Sequence, residues 1–363
     1  WSGCDRADRV VGGRAARYHT ADAADPTRRG PRGGRGRQLT DQADGPSMNY
    51  RRLGHAGIKL SEIGLGSWLT YGYGVDDTQA RACVRRAFEL GINFFDTADV
   101  YNRGAAEEVY GRELAQFPRR DIVLATKCYF PMSAGVNDRG LSRKHIFESV
   151  HDSLKRLGTD YIDLFQCHRF DPDVELHEVV RAMDDLVRQG KILYWGVSEW
   201  PADAIQQARE WAFAVNAVPP VSNQPEYNLA ARQVETNGVR DACRTYGLGM
   251  VVFSPLAQGV LTGKYAGGKV PADSRAADPQ MSMFLKQVDA ERVARVERLR
   301  PIAARRGVSP AQLALAWLLH QPGVTSVIIG ARGPQQVEEN CGAVGVPLSD
   351  EDLAEMDRIF PAE

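Results

Sequence analysis

From Met48 onward the chain alternates between two hydrophobic rhythms. Short apolar runs of strand length recur: IGLGSW, INFFDT, DIVLATK, YIDLFQCH, ILYWGVSE, VSNQPEY, LGMVVFSPL and TSVIIGA. Longer stretches with apolar residues at helical spacing separate them. The spacing predicts helices over about 76–90, 105–116, 142–157, 174–189, 201–214, 231–246, 285–306 and 310–320, and a last helical stretch after TSVIIGA. Eight strand–helix repeats in ~300 residues fit one α/β domain over 48–363, a closed (β/α)8 TIM barrel, better than two domains. A doubly wound open sheet would want a glycine-rich phosphate loop after its first strand, and IGLGSW lacks the third glycine.

Punctuation agrees with this pattern. Ser142 precedes one helix as a cap, and Pro201 falls in the first turn of another. Gly91, Gly158 and Gly190 follow predicted helix ends, where a left-handed residue is wanted. Residues 51–63, RRLGHAGIKLSEI, read as an N-terminal β-hairpin that caps the bottom of the barrel.

Residues 1–47 do not share the pattern. They hold nine Arg and six Asp without Lys or Glu, a net of +3, so the remaining 316 residues carry −4 of the total −1. The stretch is rich in Arg and Gly and has no hydrophobic period, so it is expected to be disordered. An Arg/Gly nucleic-acid-binding tail and a non-native leader ahead of Met48 are both open readings, and expression from Met48 separates them. A secretory signal is not expected, because the leader has no apolar h-region.

The whole chain is 43% hydrophobic and 25% charged, and its net charge gives no bulk case for nucleic-acid binding or membrane insertion. Six scattered cysteines form neither a CxxC pair nor a zinc pattern, which points to a reducing cytoplasmic setting and no metal. Cys128 and Cys167 adjoin candidate site residues. By strand alternation they should face the helix layer.

Four ionisable groups are expected at strand-end positions, each closing a short apolar run: Asp96, Tyr101, Lys127 and His168. Converging at a barrel mouth, an acid, a phenol, an ammonium and an imidazole could donate protons. Each has an ordinary structural reading when taken singly: a helix cap, loop packing, a rim charge, a hydrogen-bonded core histidine. A strand-end lysine could also form a Schiff base, although Asp96 beside it would keep it protonated.

The segments GINFFDTADVYNRGAAEEVYG, LATK, DLFQCHRFD, YWGVSEW, NQPEYNL, FSPLAQGVLTGKY and IIGARGPQQVEEN resemble the aldo-keto reductases. The likeness is closest to the branch of potassium-channel β subunits and their bacterial relatives, and it runs from about Met48 to the C-terminus. It implies NADPH-dependent reduction of a small carbonyl substrate, with a homo-oligomer among the possible assemblies. Tyr101 would be the general acid, and Lys127 would lower its pKa. Asp96 would hold Lys127, and His168 would orient the substrate oxygen. The channel subunits carry another residue at the place of His168, which favours an enzyme over a regulatory NADPH-binding subunit.

The resemblance also implies a cofactor path. Ser67, Trp68 and Asp96 would flank it. Ser198, Glu199, Asn223 and Gln224 would bind the carboxamide end. Phe253, Ser254, Pro255, Leu256, Gly259 and Lys264 would line the pyrophosphate, with Arg275 a second phosphate candidate. Gly330, Arg332, Gln336, Glu339 and Asn340, on and before a C-terminal cofactor-binding helix, would hold the adenosine end, with Arg332 suited to a 2′-phosphate. Arg332 departs from the small hydroxyl residue expected in the channel branch. Trp68, Tyr71, Tyr101, Phe130 and His168 would wall the substrate pocket, although the same rings could close the barrel core.

Overall fold

The computed structural model describes residues 48–68, 76–268, 270–271, 274, 277 and 289–362. Two expected site residues, Tyr71 and Arg275, lie outside the described residues, as does the leader over 1–47.

Eight parallel strands close into a barrel: β3 (Ile63–Gly66), β4 (Phe94–Asp96), β5 (Val123–Cys128), β6 (Ile162–Cys167), β7 (Ile192–Ser198), β8 (Ser222–Gln224), β9 (Gly249–Val252) and β10 (Val324–Ile329). β10 pairs back onto β3 in register, Ile328 opposite Gly64, which completes the ring. The surrounding helices include α1 (Asp77–Glu89), α2 (Ala105–Leu114), α3 (Arg143–Leu157), α4 (Leu176–Arg188), α5 (Ala202–Ala214), α6 (Val239–Tyr246), α7 (Ala290–Arg306), α8 (Pro310–His320), α9 (Pro334–Cys341) and α10 (Asp350–Ile359). The predicted TIM barrel is the observed fold.

Period-two alternation sorts the strand residues into two cores. Phe94, Val123, Ala125, Leu164, Val251 and Ile328 fill the inside of the barrel. Leu65, Phe95, Leu124, Phe165 and Val252 face the helices, and Cys128 and Cys167 are buried with them, as alternation requires. The hairpin of β1 (Tyr50–Arg52) and β2 (Lys59–Ser61) is antiparallel and sends Leu53 and Leu60 into the inner core. It therefore plugs the end of the barrel remote from the strand C-termini.

Helix ends follow local chemistry. The Ser142 side chain accepts from the His145 N–H at the start of α3. Gly91, Gly158 and Gly190 take φ of 84°, 62° and 68°, the expected left-handed positions. Pro201 is the N-cap of α5 rather than a first-turn residue. The helix predicted over 231–246 is shorter. A 3-10 turn at Gln233–Glu235 comes first, the Asn237 side chain accepts from the Val239 N–H, and Gly238 turns at φ 82°. That Asn-Gly turn outweighs the helical spacing. The last helical stretch divides into α9 and α10 around Gly345 at φ 74°. No described helix is long and apolar enough to cross a membrane.

Candidate active site

β4, β5 and β6 end side by side, with Asp96 in register with Ala125 and Lys127 in register with Gln166. Because residues two apart share a face, the inner strand positions place Asp96, Lys127, Gln166 and His168 around one mouth. Lys127 is fully buried. Its ammonium donates to Asp96 Oδ2 at 2.7 Å, to the Thr97 carbonyl at 2.7 Å and to the Tyr101 hydroxyl at 3.4 Å. All three of its protons thus have acceptors. Asp96 Oδ1 accepts from Gln224 Nε2 at 2.8 Å and from Gln166 Nε2 at 3.5 Å. The helix-cap reading of Asp96 and the rim reading of Lys127 are both displaced by this network.

Tyr101 is not a strand-end residue. It opens a 3-10 turn, Tyr101–Gly104, five residues beyond Asp96. Asn102 and Arg103 adopt φ of 48° and 52°. Side-chain-bearing residues enter that region only when surrounding contacts hold them there. The half-buried Tyr101 ring makes an edge contact with His168 at 5.6 Å, and Phe130 meets the other side of His168 at 5.0 Å. Trp68 lies 6.4 Å from Tyr101 and from Phe253. The expected aromatic wall is therefore assembled around the imidazole, apart from Tyr71.

Burial and the Asp96 charge hold the Tyr101 phenol well above its ordinary pKa. Lys127 Nζ is 3.4 Å from the hydroxyl, but burial is the largest influence on the phenol and acts upward. Burial also lowers the Lys127 pKa, while Asp96 pulls it the other way. His168 sits well below the ordinary histidine range because of burial and the charges of Lys127 and Arg169. Burial thus disfavours the charged forms of the phenol and the imidazole, while the Lys127 ammonium group lies 2.7 Å from Asp96 Oδ2.

A cleft of about 340 Å³ leads away from the mouth. Trp68, Asp96, Tyr101 and Gln224 line its inner end. Phe253, Ser254, Pro255, Leu256, Gly259 and Lys264 line one flank, and Gly330, Arg332, Gln336, Glu339 and Asn340 the other. The flank after β9 is tightly coiled, with Ser254, Ala257, Gln258 and Gly259 at φ of 52°, 46°, 56° and 98°. At φ 98° Gly259 takes a conformation that other residues rarely adopt, and an added Cβ would lie 2.8 Å from Lys264 Nζ, so the lysine would have to shift. Such left-handed turns form backbone concavities suited to anions.

Four expected cofactor residues do not line this cleft. Ser67 is fully buried and donates to Thr97 Oγ1 at 2.8 Å, fastening β3 to the loop after β4. Ser198 donates to the Gln224 carbonyl at 2.9 Å and so supports Gln224 from behind. Glu199 is exposed, and its carboxylate accepts from the Glu226 N–H at 2.6 Å. Asn223 is turned towards Cys243 of α6, because Gln224, one residue on, faces the barrel interior.

Sequence reasoning missed several residues here. Gly66, Gln258, Thr262, Ala311, Ile328, Ile329 and Ala331 also line the cleft. Most are small or apolar and read as packing. Gln166 lies two residues before His168, the spacing that puts both inside the barrel, so its place was readable. Arg169 donates to the His168 carbonyl at 2.6 Å and lies 5.5 Å from the Phe130 ring centre. Its only sequence signal was adjacency to His168. Among the described residues no His/Cys/Asp/Glu cluster could hold a metal ion.

The family profile described as "Aldo/keto reductase family" matches residues 62–360. The chain belongs to the Aldo/keto reductase family. A probable voltage-gated potassium channel subunit beta from Oryza sativa subsp. japonica is 43% identical over 302 residues, covering 82% of this chain and 92% of the relative. A probable voltage-gated potassium channel subunit beta from Arabidopsis thaliana is 41% identical over 302 residues, with the same coverage of 82% and 92%. The family generally binds a nicotinamide dinucleotide. The aldo-keto reductase resemblance of the sequence motifs, and its lean towards channel-β-like members, therefore stand.

Proposed function

We propose that this aldo-keto reductase uses NADPH to reduce small aldehydes and ketones to alcohols. The observation that carries the reading is the buried Lys127 ammonium, bonded at once to Asp96, Thr97 and the Tyr101 hydroxyl at the head of a long cleft.

The chemistry of the cleft suits an extended dinucleotide. Gln224 presents an amide beside Asp96, and at the same end Gln166 Oε1 is buried with no hydrogen-bond partner among the described residues. Ser254, Gly259 and Lys264 would hold the phosphates, and Arg332, Gln336, Glu339 and Asn340 the adenosine portion. When bound there, the nicotinamide supplies hydride to the carbonyl carbon.

The chain's own residues would do the rest. Tyr101, neutral at rest, donates its proton to the carbonyl oxygen as charge develops on it. The phenolate left behind is stabilised by Lys127, whose ammonium is already aimed at that oxygen. Pre-aimed donors in a water-poor site need no reorganisation during the reaction. Asp96 keeps Lys127 charged against the cost of burial. His168, uncharged, offers a hydrogen bond to the substrate oxygen, and the Trp68, Tyr101 and Phe130 rings favour flat or small carbonyls.

Titration with NADPH and NADH, followed by steady-state oxidation of NADPH over a carbonyl panel such as nitrobenzaldehyde and methylglyoxal, tests this. NADPH binding without steady-state turnover on any carbonyl would refute it. The names of the two relatives favour a second reading, an NADPH-holding regulatory subunit of a channel-like partner. Its signature is one slow turnover and co-purification with a membrane protein. A cytoplasmic location and a homo-oligomer belong to either reading, and the five described cysteines, all buried and none in a disulfide among the described residues, suit a reducing compartment.

A further inference from the structure

Behind the mouth, on the side of α2 and α3, lies a second buried polar cluster that the proposed chemistry does not use. Asp99, Glu107 and Thr126 are fully buried. Asp99 Oδ2 accepts from Ser149 Oγ at 2.9 Å, Asp99 Oδ1 accepts from the Val100 N–H at 2.6 Å, and the Asp99 N–H donates to the Lys127 carbonyl at 3.2 Å. Glu107 accepts from Thr126 Oγ1 at 2.6 Å and from Arg156 Nε at 2.6 Å. Arg156 Nη2 reaches Ser153 Oγ at 3.3 Å. Ser149, Ser153 and Arg156 stand at i, i+4 and i+7 on α3, so one helix face supplies all three.

This face grips both ends of the turn that carries Tyr101. Asp99, two residues before Tyr101, is held by Ser149. Gly104, three residues after, lies against Arg156: a Cβ there would sit 2.6 Å from Arg156 Cδ, at a φ of 91°. Between these anchors lie the left-handed Asn102 and Arg103. Strained residues persist where neighbours over-determine them.

We propose that Asp99 is a positioning residue, which anchors the Tyr101 turn to α3 and, when it ionises, sets a negative charge against the phenolate that Tyr101 must form. The proposal rests on Tyr101 being the acid of the proposed function. The groups facing Asp99 are Glu107 from α2, Ser149 and Arg156 from α3, Lys127 and the neutral thiol of Cys128 from β5, and Tyr101 on its own side. Burial and then Glu107 push the Asp99 carboxyl up to about 7, against the pull of Ser149, the Val100 N–H and Arg156. Ionised Asp99 in turn raises the Tyr101 pKa. Below about 7 Asp99 is neutral and keeps its hydrogen bonds; above it, the charge opposes proton donation. The wild-type rate of carbonyl reduction therefore falls as pH rises through this region.

Stability moves in the same sense. The folded state holds the proton to about 7 and the unfolded chain only to its ordinary value of 3.8, so the contribution is complete below 3.8 and lost as pH rises to 7.

The test compares kcat against pH for NADPH-dependent reduction of nitrobenzaldehyde in wild type, Asp99→Asn and Asp99→Leu. Asn keeps an oxygen for the Val100 N–H and an NH2 that donates to Ser149 Oγ, the direction a protonated Asp99 would also use, without the charge, so Asp99→Asn should lose the falling limb near neutrality while keeping the acid-side kcat. Leu removes the anchor, and kcat should drop by up to about 100-fold, the scale of an ångström misplacement, with NADPH affinity unchanged. A wild-type-like limb in Asp99→Asn overturns the proposal. So does an Asp99→Leu protein that folds and turns over normally. If Asp99→Leu fails to fold, Ser149→Ala, which cuts the same anchor, should lower kcat, and normal turnover there overturns it equally. Absence of carbonyl turnover in wild type sinks the proposed function instead. The melting temperatures of wild type and Asp99→Asn at pH 5 and 8 then decide Asp99, since a pH-independent difference between them rules the buried proton out.

Discussion

The inside of the barrel has two floors built from the same strands. On the lower floor Phe94, Val123, Ala125 and Leu164 meet Leu53 and Leu60 of the hairpin in an apolar plug. Two residues further along β4, β5 and β6, the same faces carry Asp96, Lys127 and Gln166, with His168 just beyond. The lower floor gains stability from removing apolar surface from water. The upper floor buries charges, which costs free energy unless every charge is paired and hydrogen-bonded. The contrast teaches that one strand geometry can serve both needs. Position along the strand, rather than a change of fold, separates packing from chemistry.

The comparison can be broken first at the upper floor. Tyr101→Phe removes a hydroxyl and no packing, and should lower kcat by ~10²–10⁴ while NADPH binding and folding are retained. Steady-state kinetics beside a nucleotide titration check this, and normal turnover in the variant would remove Tyr101 as the acid. Lys127→Met should abolish turnover and also destabilise the protein by about 3–5 kcal/mol, because Asp96 is left charged and uncompensated in a buried site. Urea unfolding measures it.

The lower floor should respond in stability alone. Phe94→Ala opens a cavity in the plug and should cost about 3–5 kcal/mol. The kcat of the protein that remains folded should be close to wild type. A loss of activity as large as that of Tyr101→Phe would mean that the two floors are not separable.

The smallest effect expected is a pH dependence at His168. Its folded pKa lies well below 6.5 through burial and the charges of Lys127 and Arg169. As pH falls below 6.5 the unfolded chain binds a proton that the folded His168 does not, so stability is lost on acidification. His145, also lowered by burial, adds to the same slope. His168→Asn should flatten part of it, and melting temperatures over pH 5–7 would show whether it does.

Much of this arrangement was legible in the chain. The period-two strands and the spacing between them sufficed for the barrel, and alternation sent Cys128 and Cys167 to the helix layer. Three of the four candidate catalytic groups could be located because strand ends in a barrel share one mouth. Tyr101 was read as a strand end as well, although Asn102 and Gly104, residues that enter the left-handed region readily, stood in the sequence as signs of the turn that carries it. Asn223 lies off the cleft lining, since Gln224, one residue on, faces inward and alternation turns its neighbour the other way. The Gly238 turn cut short the helix before Tyr246 for a local reason that helical spacing had hidden.

The sequence by itself determined the barrel, the hairpin at its base and the residue types available at the strand ends, because hydrophobic period and turn chemistry are local properties. Only the tertiary structure decided which of those residues meet. Asp96 accepts from Gln224, 128 residues away, and Asp99 from Ser149, 50 away, contacts that no local pattern encodes. It also set the electrostatics of the site: burial and the Asp96 charge act upward on the Tyr101 phenol, and burial is a property of the folded whole.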